Sequence, residues 1–413
     1  MKKLLLLGGG NCQRSAAKCA KEQGIQVFLA DYTQHPPAAR YAEKHFQVSS
    51  FDVAACTQAA RQCGAQGIMT IGTDQPVYTA ACVSRALGLP SPISVETALA
   101  VTNKKVMKQK MTAAGIPTVP YCFLQPGDSA DCLKALHPPY VIKPLDSQGQ
   151  RGIFKLDSPP QVLAHLAETL RYSRCSSALV ENFYESDEVT VSGWVQQGRL
   201  FILTITDRLL YPDKTHIGVC IGHRFPSIHM DKAHEMRQIC ERLCTACGIE
   251  NGPLYVQLLV GAQGIVVNEL ACRIGGAFED FFIPYITDFS ILDAVIRASL
   301  GLSVDVSPLA GYDVTRATKK AATQLLFCKS GRVAACTGEK ELRRLPYVLD
   351  AGFNYHPGDT VPVMENATAR FGHAVLAAPS QQEIKAVIQD FYERFQVKDE
   401  KGQNMVTRLY PEA

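Results

Sequence analysis

The stretch KLLLLGGG, residues 3–10, constrains this chain most. Four consecutive leucines show no polar alternation, so a strand built from them is buried on both faces. Gly8, Gly9 and Gly10 then permit a tight turn at its end. Residues 12–23 read as a helix, and IQVFLAD as a second strand ending at Asp31. GIMTIGTDQ follows as a later strand and AACVSRALGLP as a helix. Apolar strands alternating with helices require a parallel sheet covered on both sides. Residues 1–101 are therefore expected to form a doubly wound α/β domain, where ligands approach the C-terminal ends of the strands.

That first turn raises a rival reading. Gly8-x-Gly10 with an acid, Asp31, about twenty residues on is part of a dinucleotide fingerprint, which would make the chain an NAD-binding oxidoreductase. The third glycine of that fingerprint is missing, because Gln13 stands in its place.

Composition narrows the classes. The 413 residues carry 42 basic and 39 acidic side chains, a formal net charge of +3. A balance this close to neutrality provides no large field for nucleic acid or for an acidic membrane. The apolar run Leu4–Leu7 is too short for the core of a signal peptide, and Asn11 before Cys12 argues against a lipoprotein. No apolar run approaches the roughly 18 residues of a membrane helix. The 15 cysteines lack secretory spacing, which points to a reducing cytoplasm and free thiols. Cys240, Cys244 and Cys247 have a spacing that holds iron–sulfur clusters elsewhere. They also fall in phase with Met236 and Leu243, as the buried face of a helix would.

A second unit is expected to begin near residue 102. Thr102 or Asn103 can cap a helix carrying Lys104, Lys105 and Lys108, stopped by Gly115 and Pro117. In that basic run, a solvated face is one reading and a phosphate contact the other. Residues 139–156 read as strand, glycine loop, strand. Residues 177–209 read as antiparallel strands turning at Glu185–Asp187 and at Gln197–Gly198. Residues 254–270 form a hairpin with its turn at Ala262–Gly264. A helix at 290–300 ends at Gly301. Short strands follow from Ala317, and a helix around 380–395 closes the pattern.

Three places could carry chemistry. Lys143 ends a strand and precedes Asp146, Ser147, Gln148, Gly149, Gln150, Arg151 and Gly152, a loop able to fold its amides around phosphate oxygens. Glu181, Phe183, Glu185, Asp187 and Glu188 follow an apolar strand that could offer backbone groups to an adenine edge and a carboxylate to ribose. In the 254–270 hairpin, strand alternation places Gln257 and Glu269 where they can meet, with Val267 on the face of Glu269 and Asn268 on the opposite one. Oxygen ligands of this kind suit Mg²⁺. Arg273 then sits where phosphate or carboxylate charge develops, and Gly275–Gly276 lets backbone come close to a ligand.

In this order the segments NKKVMKQKMTAAGIPTVP, VIKPLDSQGQRGI, LVENFYESDEVTV and VVNELACRIGG resemble the ATP-grasp superfamily. The resemblance spans roughly residues 1–400. It is nearest to the carboxylate–amine ligases, such as bacterial L-amino-acid ligases, whose substrate-side segments TDRLLYPD and GHRFPS resemble. VVNELACR is also similar to carboxyaminoimidazole ribonucleotide synthase. The resemblance implies a Rossmann-like domain at 1–101, an ATP-grasp domain of two α+β lobes at 102–301 (small lobe about 115–190), and a small, mostly β C-terminal domain at 302–413 completing the large lobe. It implies ATP with Mg²⁺, or Mn²⁺ in its place, and small-molecule carboxylate and amine substrates. A homodimer is a further family-level expectation. Lys104 and Lys143 would touch phosphates, with the 146–152 loop (Ser147, Gln148, Gly149 and Gly152 among its residues) closing over them. Glu181 and Phe183 would line the adenine hinge and Glu188 would hold ribose. Glu269 would bridge Mg²⁺ with Gln257 as second ligand. Arg273, Gly275, Gly276 and His216 would meet the substrate, Arg273 stabilising an acyl phosphate. His223, Arg224 and the Arg370–His373 stretch are further candidates for the substrate side.

Three positions depart from the family's pattern: Gln150 for a commoner serine, Gln257 for a glutamate, and Ala271 where asparagine often binds metal. The expected reaction is amide-bond formation through an acyl phosphate. A bicarbonate-using, carboxyphosphate-forming enzyme and a non-catalytic nucleotide-binding module are the alternatives, beside the NAD-binding reading.

Overall fold

A computed structural model describes residues 1–147, 149–212 and 218–410. The chain divides into two compact units: Met1–Val119, Thr190–Thr204 and Lys232–Val314 form the first, and Pro120–Val189, Ile205–Asp231 and Thr315–Ala413 the second.

The first unit opens with β1 (Lys3–Leu7), α1 (Asn11–Glu22), β2 (Gln26–Ala30), β3 (Lys44–Phe46), α2 (Val53–Cys63), β4 (Gly67–Met69) and α3 (Gln75–Leu87). The sheet is parallel with order β3-β2-β1-β4, so the winding reverses between β1 and β4. The four leucines of β1 are each no more than 1% exposed, as a strand covered on both faces requires. Two further helices, α4 (Val95–Thr102) and α5 (Lys104–Ala113), follow. Asn103 is the cap of α5: its Oδ1 accepts the N–H groups of Lys105 and Val106 at 3.0 and 3.3 Å. The basic run is not a solvated face, since Lys104 and Lys108 are both buried.

The second unit begins with β5 (Tyr121–Leu124), β6 (Tyr140–Pro144), β7 (Phe154–Leu156), α6 (Pro159–Leu170) and β8 (Ala178–Asn182). The strands form an antiparallel sheet of order β5-β8-β6-β7. Leu124, Leu133, Ile142, Val162, Leu166 and Val180 pack in its core. The chain then runs through β9 (Asp187–Gln196), β10 (Arg199–Leu210) and β11 (Cys220–Phe225). β8 and β9 belong to different sheets, so the turn expected at Glu185–Asp187 lies where the chain passes from one sheet to the other, with Asp187 already in β9. The Gln197–Gly198 turn is present, with φ of 50° and 77°.

α7 (Ala233–Cys247), β12 (Gly252–Gly261), β13 (Gly264–Ala271), α8 (Glu279–Thr287) and α9 (Ile291–Ser299) return to the first unit, where the strand order is β13-β12-β9-β10. Cys240, Cys244 and Cys247 lie on the buried face of α7. Burial pushes the thiols of Cys244 and Cys247 up to about 12 and about 11, so they stay protonated and pack as small apolar groups.

In the second unit β10 and β11 are followed in the sheet by β14 (Lys320–Cys328) and the strands Gly372–Ala378 and Val348–Phe353. The helix Gln381–Arg394 covers this C-terminal sheet, burying Ile384, Ile388 and Phe391 against Phe353, Phe371 and Phe395. The fold is thus mixed α/β: a doubly wound parallel sheet at the N-terminus, α+β lobes, and a β-rich C-terminal part. Among the described residues no helix is long and apolar enough to cross a membrane.

Candidate active site

The glycine turn after β1 is filled by the chain itself. The Asp31 carboxylate accepts the Gly9 N–H at 2.7 Å and the Thr33 N–H at 2.7 Å. Gln13, where a third glycine would stand, donates through Nε2 to the Ile71 carbonyl at 2.5 Å. A Cβ on Gly9 would lie 2.7 Å from Pro36 and 2.8 Å from Leu29. The acid that would hold a ribose is turned inward, and an amide that would face a pyrophosphate is already bonded. The geometry speaks against a dinucleotide here.

The hairpin β12–β13 carries the first group of expected residues, all in the first unit. Gln257 pairs directly with Glu269 in the ladder. Glu269 Oε1 accepts from Lys104 Nζ at 2.8 Å, across 165 residues of sequence. Lys104 stands at the first position of α5 because Asn103 caps that helix. Alternation does not survive along β13, however. Leu258 pairs with Val267 while Gln257 pairs with Glu269, so Asn268 is the extra residue of a β-bulge. Val267 therefore faces with buried Leu258, and Glu269 faces with Gln257. The sequence expectation that Val267 and Glu269 share a face, with Asn268 turned away, is corrected: Asn268 Nδ2 donates to Gln257 Oε1 at 3.3 Å.

Arg273 sits beyond the end of β13, buried. It donates to Asp74 Oδ1 through Nε at 2.7 Å and through NH2 at 2.6 Å, and its guanidinium lies 4.5 Å from the centre of the Tyr255 ring. Burial works against its charge, but Asp74, with Tyr255 and Glu279 nearby, more than offsets this and holds its pKa above the ordinary value. At Gly275 a Cβ would overlap the Glu279 carboxylate, and at Gly276 it would lie 3.1 Å from the Gly72 carbonyl oxygen. The close approaches that demand glycine here are to the chain's own groups. Burial pushes Glu279 up to about 7, against the pull of Arg273.

The second group lies in the second unit. Lys143 on β6 and Glu181 on β8 form a buried ion pair. The loop after Lys143 is anchored by Asp146, whose oxygens accept from Ser173 Oγ at 2.5 Å and Arg174 Nε at 2.9 Å. Gly149, Gln150 and Gly152 take left-handed φ of 72°, 63° and 71°. Ser147 stands at the start of this loop and Gln148 lies outside the described residues. Phe183 has Lys155 Nζ over its ring at 3.4 Å. Glu188 pairs with Arg208, whose NH2 donates to the Gly218 carbonyl at 2.9 Å.

His216 also lies outside the described residues. His223 is buried with Nδ1 3.0 Å from the Thr206 hydroxyl. Burial, with Arg208 and Arg370 beside it, holds its imidazole down to about 3, so it is neutral. Arg224 is taken up by Asp207 at 2.8 Å, and His373 by Asp350 at 2.9 Å. These groups serve the second unit's own polar network. Sequence reading missed Asp74, Arg208, Lys155 and Tyr255, each a partner of an expected residue. Asp74 had a local signal, as an acid just past an apolar strand, and Arg208 lies in the TDRLLYPD segment without being singled out there.

A divalent cation can be tested against these residues by donor chemistry. Mg²⁺ takes oxygen ligands, commonly one or two carboxylates, and completes its shell with phosphate oxygens and water. Glu269 supplies one carboxylate, and Gln257 beside it supplies an amide oxygen. The set fits such an ion bound with a nucleotide.

Comparison with known proteins gives a consistent picture. Residues 136–279 match the model of the ATP-grasp domain, and residues 324–400 that of the L-amino acid ligase C-terminal domain 2. Dapdiamide A synthase of Enterobacter agglomerans is 22% identical over 314 residues, 70% of this chain and 69% of that protein. The L-arginine-specific L-amino acid ligase of Bacillus subtilis is 22% identical over 328 residues, 76% of each chain. The crystal structure of an L-amino acid ligase from Bacillus licheniformis superposes with a TM-score of 0.80 at 18% identity, covering 97% of this chain and 99% of that one.

Proposed function

The chain carries an ATP-grasp domain and an L-amino acid ligase C-terminal domain, and from that premise we propose that it joins a small carboxylate, an amino acid, to an amine at the expense of ATP. The observation that carries this reading is the hydrogen-bonded set on β12–β13. One carboxylate, Glu269, meets a buried lysine, Lys104, and faces Gln257, with Arg273 fixed on Tyr255 nearby.

In the first step a carboxylate oxygen of the acid attacks the γ-phosphorus. The bond to the ADP oxygen breaks, leaving an acyl phosphate. In the second the amine attacks the acyl carbon, phosphate leaves, and the ammonium proton passes to solvent or a base. The chain's part is positioning and stabilisation of moving charge. Lys104 and Lys143 present point charges to phosphate oxygens. Arg273 stabilises the acyl phosphate, and Asp74 and Tyr255 hold its guanidinium still, so that little reorganisation is needed. Glu181 and Phe183 take the adenine, and Glu188, oriented by Arg208, takes the ribose. Gln257 and Glu269 would hold Mg²⁺, which when bound neutralises phosphate charge. Gly275 and Gly276 set the turn beside Arg273, and His216 stays a candidate substrate contact.

The test is ADP release with Mg-ATP against amino acids offered singly and in pairs, with and without bicarbonate. Release that needs two amino acids is the expected result. Release that needs bicarbonate alone would replace this reading with carboxyphosphate formation, and ATP binding with no release would leave a nucleotide-binding module.

A further inference from the structure

Alternation along a regular strand gives the face of β12–β13 only two oxygen-bearing side chains, Gln257 and Glu269. The bulge changes that count. A bulged strand sets two residues against one on its neighbour, here Asn268 and Glu269 against Gln257. All three are partly exposed, while Val267 and Leu270 on either side are buried.

We propose that Asn268 is a third oxygen ligand of the cation at this face, its Oδ1 joining the Glu269 carboxylate and Gln257 Oε1. The proposal rests on the ligase reading, which brings the nucleotide phosphates and the cation to this hairpin.

The hydrogen bonds orient the amide. Gln257 Nε2 donates to the Tyr255 hydroxyl at 3.3 Å, which turns Gln257 Oε1 toward Asn268. Asn268 Nδ2 then donates to that oxygen at 3.3 Å, so the nitrogen end of Asn268 is held by Gln257 and the carbonyl end is turned away from it. Tyr255 is in turn fixed beneath Arg273. The position two residues after Glu269 cannot serve in its place. Ala271 pairs with Tyr255, is 1% exposed, and has no oxygen to offer. The chain thus brings its extra amide from the residue before the acid, by means of the bulge. One carboxylate and two amide oxygens form a hard, oxygen-only set with a single formal negative charge. Such a set suits a divalent cation that arrives with nucleotide phosphates better than one held by protein alone.

The test uses Mn²⁺ as a paramagnetic probe, titrated by EPR into the full-length protein with and without ADP. Far-UV circular dichroism and metal-free ADP affinity report the fold. Wild type is expected to bind Mn²⁺ tightly only with ADP. Asn268→Ala is expected to weaken that binding by about 10–100-fold, the loss typical when a metal site is perturbed. Asn268→Asp, nearly isosteric and one charge richer, is expected to tighten it. A folded Asn268→Ala protein that binds Mn²⁺–ADP like wild type would overturn the assignment and leave the ligase reading standing. Should Asn268→Ala not fold, unchanged or weaker binding by Asn268→Asp overturns it instead. Wild type that binds no Mn²⁺ with ADP would sink the ligase reading, and the ligand with it.

Discussion

Two lysine–glutamate pairs invite comparison, one in each unit. Lys143 and Glu181 sit on neighbouring strands, with side chains only 10% and 4% exposed. Lys104 and Glu269 meet across 165 residues; Lys104 is as covered as Lys143, at 10%, but the Glu269 side chain is 26% exposed. The first pair is buried in its sheet on both members. The second stands at a surface that solvent, a cation or a phosphate can reach. The difference teaches that two pairs with proposed nucleotide roles can differ in access: the first is closed on itself, so a nucleotide has to compete with the ion pair, while the carboxylate of the second already lies open. Exposure decides between them, because desolvation makes a buried charge expensive to strand.

Breaking the buried pair should give the largest effect. Glu181→Ala leaves Lys143 buried without its carboxylate and is expected to cost about 3–5 kcal/mol in stability, read from urea or thermal unfolding. A change close to zero would mean that water reaches this pair and that the contrast is false. The open pair should divide its effect differently. Glu269→Gln leaves an amide oxygen that can still accept from buried Lys104, so it is expected to cost less in unfolding than Glu181→Ala, while ADP release falls on the order of a hundredfold. Arg273→Ala should lower turnover by a similar factor, on the order of a hundredfold or more. Normal turnover in a folded Arg273→Ala protein would remove the central residue of the proposed mechanism.

Gln257→Glu sharpens the comparison by adding a second carboxylate to the open face. Apparent Mg²⁺ affinity is expected to rise by about tenfold, since hard cations respond to ligand charge. No gain in the Mg²⁺ dependence of ADP release would count against Gln257 as a ligand.

A further effect is read from pH and concerns Glu279, buried beside Gly275 and raised from 4.5 to about 7 mainly by burial. A carboxyl whose folded pKa is raised contributes stability that is fully present below 4.5 and lost as pH rises through about 7. Wild type should therefore lose thermal stability across that window, and Glu279→Gln should flatten the slope. Parallel slopes in the two proteins would place the titration elsewhere.

Much of the site was legible because its signals are local. Lys143 ends an apolar strand before a glycine-rich loop, Asn103 has the chemistry of a helix cap, and Arg273 follows Glu269 closely in sequence. The same locality misled in two places. Glu185–Asp187 looks like a turn between antiparallel neighbours, yet the flanking strands join different sheets. Asn268 looks like the outward member of an alternating strand, yet the bulge brings it to Gln257.

The sequence by itself determined many of the strands and helices, though β3, α2, α6 and α8 were not read from it. Apolar runs, glycines and caps act over a few residues, so the doubly wound sheet, the hairpin and the order of the motifs could be read directly. Only the tertiary structure decided which charges meet. Asp74 and Arg273 lie 199 residues apart, and nothing near either one encodes the other. Strand register has the same origin: a single extra residue costs little locally, and its acceptance depends on how both faces of the sheet are packed. That packing turned Glu269 toward Lys104 and Gln257, and it paired Lys143 with Glu181 inside their sheet.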